Sequence, residues 1–250
     1  MNLTAMTFNL RLNHTDDGEN AWPYRKDNVV QTILANDPHI FGIQEGLPMM
    51  VSKLKESLPA YEMIGEGRGG GDVDEYSALF YKKEQLILNN HGQFWLSETP
   101  EVANSISWDS ACPRICTWGE FALKNNPSHR FVFFNTHLDH IGQEARKKGA
   151  ELICSNIGQY LDANLPVIFT GDLNVEPDNE VIDILEKADL VRLHTEGKTF
   201  HDFKGGIPGE PIDYIFTSKQ VKVLNIKVDR RNFDGKYPSD HYPLVAELVI

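Results

Sequence analysis

Short apolar runs recur along this chain, and many of them lead to, or follow, an Asn, Asp, Glu or His. Runs this short, rich in Val, Ile and Phe, predict buried strands rather than helices. They open at Leu3–Leu12 and return at His39–Ile43, Tyr61–Ile64, Ser77–Tyr81, Leu86–Leu88, Phe94–Leu96, Glu120–Leu123 and Phe131–Phe134. Further runs lie at Val167–Phe169, Ile212–Thr217, Val221–Val228 and Tyr242–Ile250. Helical spacing occupies the segment from Trp22-Pro23 to Asp37-Pro38, then Met49–Leu58, about Gln143–Leu161 and Val181–Leu190. The acidic stretch Asp16–Asn20 and the glycine-rich stretch Gly65–Gly71 read as loops; the latter lacks the Lys-Ser/Thr ending of a phosphate-cradling loop. Many strands, about four helices and no regular β-α-β alternation predict an α/β sandwich of mixed or largely antiparallel sheets.

The polar residues at the strand tips are a set. Met6–Phe8 leads to Asn9, Ile40–Ile43 to Glu45, Phe131–Phe134 to Asn135 and His137, and Val167–Phe169 to Asp172 and Asn174. Asp213 and Asp240-His241 stand in front of two later strands. Residues two apart in an extended segment face the same side, so Asp172 and Asn174 are expected to project together and to suit a hard cation or a polarised water. Any one of these tips is equally a turn or strand punctuation. Antiparallel neighbours place the end of one strand beside the start of the next, so all of them could gather on one rim.

Composition narrows the chemistry. The chain has 250 residues, 41% hydrophobic, with no linker-like or low-complexity tract, which predicts a single domain over 1–250. A formal charge of −12 speaks against a protein that grips long DNA or RNA through its phosphates, though not against a local basic pocket. Cys112, Cys116 and Cys154 have no zinc-ligand spacing and suit reduced thiols. Neither a signal peptide nor a membrane-spanning stretch is visible, so a cytoplasmic location is expected.

In order, Asn9, Gln44-Glu45, Asn135-Thr136-His137-Leu138, Gly171-Asp172-Leu173-Asn174, Ile212-Asp213-Tyr214 and Ser239-Asp240-His241 resemble the signatures of the endonuclease/exonuclease/phosphatase superfamily. That group holds deoxyribonuclease I, apurinic endonucleases, neutral sphingomyelinases, inositol polyphosphate phosphatases and deadenylase-like enzymes. The resemblance implies a four-layer α/β sandwich of deoxyribonuclease I type, with two packed mixed or antiparallel sheets flanked by helices, and one active site dependent on Mg²⁺ or Mn²⁺. It implies that Glu45, Asn9 and Asp240 hold the cation, and that Asp172 and Asn174 orient the attacking water or share a second metal position. His137 would hydrogen-bond the phosphoryl oxygen, and Asp213 would orient His241 as acid or oxyanion partner. Apurinic endonucleases carry a Tyr motif where this chain has Asn-Thr-His-Leu, so the sphingomyelinase, deadenylase and phosphatase branches are the nearer match. Arg114, in a segment similar to substrate-side segments of those branches, is a candidate phosphate grip; Arg68 and Arg25 are further candidates.

The reading is a divalent-metal-dependent hydrolase acting by in-line water attack on a small or short phosphate ester. One rival is a nuclease or 3′-exonuclease with a local basic groove. Another is a catalytically silent binding protein of the same fold.

Overall fold

The computed structural model describes residues 2–250. Twelve strands form two sheets of six, with four α-helices outside them. In the first sheet β1 (Asn2–Asn9) pairs in parallel with β2 (Ile40–Gln44), and α1 (Trp22–Asn36) forms the crossover. A second helix, α2 (Pro48–Ser57), then leads to β3 (Tyr61–Ile64) and β4 (Leu79–Lys82). The second sheet carries β5 (Leu86–Trp95), β6 (Ile115–Leu123), β7 (Asn126–His137), β8 (Val167–Asp172), β9 (Leu190–Arg192) and β10 (Asp213–Ser218). Here β7 and β8 are the parallel pair, joined through α3 (Gln143–Asp162), while α4 (Glu180–Lys187) precedes β9. The chain returns to the first sheet with β11 (Lys222–Val228) and β12 (Leu244–Val249). The strand orders are β11-β12-β1-β2-β4-β3 and β5-β6-β7-β8-β10-β9.

Strand alternation explains the layering. Leu3 and Ala5 of β1, Phe131 and Phe133 of β7, Ile168 of β8 and Ile215 of β10 pack between the sheets. The intervening residues face the helices: Met6, Phe8, Phe41 and Ile43 meet Val29, Ile33, Met50 and Leu54, whereas Val132, Phe134, Val167 and Phe169 meet Ile153, Ile157, Val181 and Leu185. The result is helices, sheet, sheet, helices. Both faces of the central strands are buried, which is why they read as unbroken apolar runs.

The parity that puts Leu3, Phe131 and Ile168 between the sheets also puts Thr7, Asn9, Asn135, His137, Thr170 and Asp172 there, at the other end of the strands. A buried polar seam results. Gln44 Nε2 donates to Thr7 Oγ1 (3.0 Å) and to Asn135 Oδ1 (2.7 Å), while Asn135 Nδ2 donates to the Ile43 carbonyl (2.9 Å) and Thr170 Oγ1 to Asn135 Oδ1 (3.0 Å). Gly42 is required beside it, since a Cβ there would lie 2.2 Å from Asn135 Oδ1.

Some elements differ from expectation. The runs expected at Leu86–Leu88 and Phe94–Leu96 join in one strand, β5, which ends at Trp95 and has a register shift between Leu88 and Asn90. Polar residues at its centre face solvent and hide the continuity. β6 starts at Ile115, ahead of the expected Glu120, and the segment expected as helix to Leu190 stops at Lys187 and starts β9. The acidic stretch forms a short 3-10 helix, Thr15–Asn20. No helix among the described residues is long and apolar enough to cross a membrane.

Candidate active site

Carboxyl ends of parallel strands are where open α/β sheets leave a crevice, and both parallel pairs end at the same mouth. Register places Asn9 beside Gln44, His137 beside Asp172, and Asp213 beside Asp172. A cleft of about 500 Å³ opens there; Glu45, His137, Asp172, Asn174, Asp240 and His241 line one part of it.

Three lining residues leave the strand conformation to reach it. Arg11, Glu45 and Asn174 have φ of 54°, 58° and 52°, a left-handed backbone that is costly for residues other than glycine and collects at functional sites. Continued alternation would send Glu45 toward the helices, on the side of Ile43; the left-handed turn ends that alternation. Asp172 and Asn174 reach the cleft by a turn rather than by shared strand parity. The Asn174 amide donates to Asp172 Oδ1 (3.0 Å), and the Asn174 side-chain nitrogen donates to the Leu138 carbonyl (3.0 Å) and to His137 Nε2 (3.0 Å). Because Nε2 accepts, the His137 ring proton sits on Nδ1.

Asn9 Nδ2 donates to Glu45 Oε1 and to Asp172 Oδ2, each at 2.9 Å, and Asn9 Oδ1 accepts the Arg11 amide. Its oxygen is thus engaged by backbone while its nitrogen ties two carboxylates together. The Leu12 amide donates to Glu45 Oε2 (2.9 Å). Ser239 Oγ donates to the Asn9 carbonyl (2.7 Å) and accepts the His241 amide (3.2 Å), which pins Asp240 and His241 to the end of β1.

His241 Nδ1 lies 2.8 Å from Asp213 Oδ2, and its Nε2 lies 3.8 Å from Asp172 Oδ2. Burial opposes charge on this imidazole, but Asp213, and behind it Asp172, outweigh burial and raise its pKa well above the usual value. His137 goes the other way: burial, then the Arg114 charge, lower its pKa far below the usual imidazole range. Their surroundings thus push the two imidazoles in opposite directions. Burial, with the Asp213 charge second, raises the Asp172 pKa; burial also raises that of Asp240.

The donor set fits a hard divalent cation. Glu45, Asp172 and Asp240 are oxygen donors on one cleft, and the burial that raises the pKa of Asp172 and of Asp240 is a cost that a cation held there would offset. Ligand atoms of Glu45, His137 and Asp172 lie within 4.8 Å of one another, as do those of Asp172, Asp213 and His241.

The arginines divide. Arg68 and Arg114 line the cleft. Arg25, expected as a further substrate grip, is not brought there. Its guanidinium is buried against the carbonyls of Leu10, Arg11, Leu12, Asn20 and Pro238, and so holds the backbone that presents Arg11 and the Leu12 amide. Arg11, Glu75, Cys112, His140 and Phe200 line the cleft without having been singled out as site residues. Only Arg11, next but one to Asn9, carried a positional hint. Trp118 packs on Phe134 and Tyr160 in the outer core.

Curated protein sequences offer no match. Among solved structures, an endonuclease/exonuclease/phosphatase from Bacteroides vulgatus is 34% identical with a TM-score of 0.94, covering 100% of this chain and 99% of that one. A mannosyl-6-phosphatase from Bacteroides thetaiotaomicron VPI-5482 is 35% identical with a TM-score of 0.92, covering 99% of this chain and 100% of that one. The human Nocturnin catalytic domain, 21% identical over 99% of this chain and 94% of that one, shares the fold with a TM-score of 0.77. Residues 6–241 match the model of the endonuclease/exonuclease/phosphatase family, and with two full-length relatives above 30% identity the chain belongs to that family.

Proposed function

We propose that this protein is a divalent-metal-dependent hydrolase of small phosphate esters. The observation that carries the reading is the meeting, on one cleft, of Glu45, Asp172 and Asp240 with His137 and with His241, whose Nδ1 lies 2.8 Å from Asp213. Family membership supports hydrolysis at phosphorus, and the relative named a mannosyl-6-phosphatase supports a small ester as substrate.

Glu45 and Asp240, with Asp172 alongside, would hold the cation, for which Mg²⁺ or Mn²⁺ is the expected choice. Bound there, such a cation neutralises phosphate charge and polarises a phosphoryl oxygen. Asp172, held by Asn9 and by the Asn174 amide, would take a proton from the attacking water. Asn174 Oδ1 accepts no hydrogen bond from a described residue and can orient that water. His241, kept protonated by Asp213, donates from Nε2 to the developing oxyanion or the leaving oxygen. His137, neutral with its proton on Nδ1, is a second donor to the phosphoryl group. Arg114, buried with an Nε that has no hydrogen-bond partner, supplies fixed positive charge.

The test is hydrolysis of p-nitrophenyl phosphate and a hexose phosphate with Mg²⁺, Mn²⁺ or EDTA. EDTA should abolish turnover, added metal should restore it, and Asp172→Asn should lower kcat by about 10²–10⁴-fold with the fold intact by circular dichroism. Equal rates for Asp172→Asn and the unsubstituted protein would remove Asp172 from the chemistry.

A further inference from the structure

One wall of the cleft is built from loops rather than strand tips, and its chemistry differs from the rest. Arg68 and Glu75 come from the glycine-rich segment after β3, Arg114 precedes β6, and His140 follows β7. The glycine-rich segment is a fixed hairpin, not a free strap. The Gly67 amide donates to the Gly71 carbonyl (2.7 Å), the Arg68 amide to the Glu75 carbonyl (2.8 Å), the Gly69 amide to the Val73 carbonyl (3.0 Å), and the Trp95 indole to the Arg68 carbonyl (2.6 Å). A Cβ at Gly67 would stand 2.0 Å from the Val73 carbonyl, so this turn needs a glycine. The hairpin sets Arg68 Nη2 2.6 Å from Glu75 Oε1 and Arg68 Nε 2.9 Å from Asp74.

Two groups on this wall face the cleft with unused capacity. Glu75 Oε2 accepts no hydrogen bond from a described residue, although the side chain is only 12% exposed. His140 Nδ1 lies 3.0 Å from Arg114 Nη2. A guanidinium only donates, so Nδ1 accepts and the ring proton of the neutral His140 is on Nε2, free to donate from an exposed ring. One fixed acceptor and one fixed donor thus stand on the same wall.

The charge pattern selects the occupant. A second anionic group would meet Glu75, a cationic one would meet Arg68 and Arg114, and an apolar one would leave all of these polar groups without partners. A neutral group bearing hydroxyls, each both donor and acceptor, satisfies the acceptor and the donor together. Elsewhere on the same cleft Phe200, 42% exposed with its ring 5.1 Å from the His241 imidazole, and Ile212 add apolar surface on which the C–H face of a ring can lie. The cleft volume of about 500 Å³ suits a small ligand.

We propose that Glu75, set by Arg68, and His140 form a hydroxyl-reading subsite for the leaving alcohol, so that the enzyme selects phosphate esters of polyhydroxylated rings, monosaccharide phosphates being the substrate class. This rests on the phosphoesterase reading above and assigns the residues that choose its substrate.

The test couples substrate and protein changes, with kcat/KM measured for a hexose phosphate, its single-deoxy analogues and p-nitrophenyl phosphate. On the unsubstituted enzyme, removal of at least one hydroxyl should lower kcat/KM about tenfold or more, because the largely covered Glu75 carboxylate, or His140, is then left without its partner in the occupied cleft. In Glu75→Gln or His140→Ala the penalty for the corresponding hydroxyl should shrink to about threefold or less, a coupling that a purely structural role does not produce. Deoxy analogues turned over as fast as the full sugar, or a penalty that persists unchanged in both variants, would overturn the subsite. Turnover of p-nitrophenyl phosphate without turnover of any hexose phosphate would overturn it too while leaving the phosphoesterase reading in place. Failure to hydrolyse either ester with Mg²⁺ or Mn²⁺ would remove the reading beneath it.

Discussion

Asp139 accepts hydrogen bonds from the amides of Gly142 (2.7 Å), Ile141 (2.9 Å) and Ala111 (3.0 Å) and stands 3.6 Å from Arg114 Nε. It fastens the Arg114 segment to the end of β7. Burial alone would raise its pKa, but the Gly142 and Ile141 amides, then Arg114 and the Ala111 amide, outweigh burial and hold it down at about 2. A carboxylate whose pKa is depressed on folding contributes stability above its unfolded value near 4, and loses that contribution as pH falls from about 4 to about 2. Asp139→Asn should therefore lower stability by about 2 kcal/mol at pH 7 in urea unfolding, with the difference from the unsubstituted protein vanishing toward pH 2. A constant difference across that range would mean that the carboxylate charge is not what matters there. At this scale legibility followed side-chain length and context. The strand-tip positions of His137, Asp172, Asp213 and His241 were readable because each borders an apolar run. Arg25 was not: its long stem can reach carbonyls on several segments, and nothing local says which. Glu75 and His140 lay in polar loops with no periodicity to mark them.

Between elements, the alternation of each central strand does two jobs. It separates the inter-sheet core from the helix-facing cores, and it delivers Asn9, His137, Asp172 and Asp213 to one side at the strand ends. The two sheets are keyed together beneath the cleft by Asn135, which bonds Gln44 and the Ile43 carbonyl and lies against Gly42. Gly42→Ala would place a methyl 2.2 Å from Asn135 Oδ1 in a fully buried seam. It should destabilise the protein by about 1–3 kcal/mol in denaturant unfolding. A variant as stable as the original would show that the seam yields freely. The apolar strands and the three longer helices were legible because periodicity reports burial directly. The joined β5, the extra β9 and the left-handed turns at Glu45 and Asn174 were not, because they depend on neighbours supplied by distant segments.

Across the whole molecule, a chain with a formal charge of −12 keeps its guanidiniums near the cleft matched: Arg11 with Asp17, Arg68 with Asp74 and Glu75, Arg114 beside Asp139. Positive charge paid out in pairs does not make a groove for a long polyanion. The dependence of log kcat/KM on log salt for a small phosphate ester should accordingly be shallow, with a slope of about one or less, whereas neutralising several backbone phosphates gives a slope of several. A steep slope would favour the nuclease alternative. Residue types and their order along the chain sufficed for the family and for the strand-rich layered architecture, because periodicity and local spacing are properties of neighbours in sequence. Which of those strand tips meet, in which direction each imidazole is pushed, where Arg25 turns and what Glu75 faces were settled by packing alone, since each depends on distances between residues far apart in the chain, and burial and Coulomb energies follow those distances.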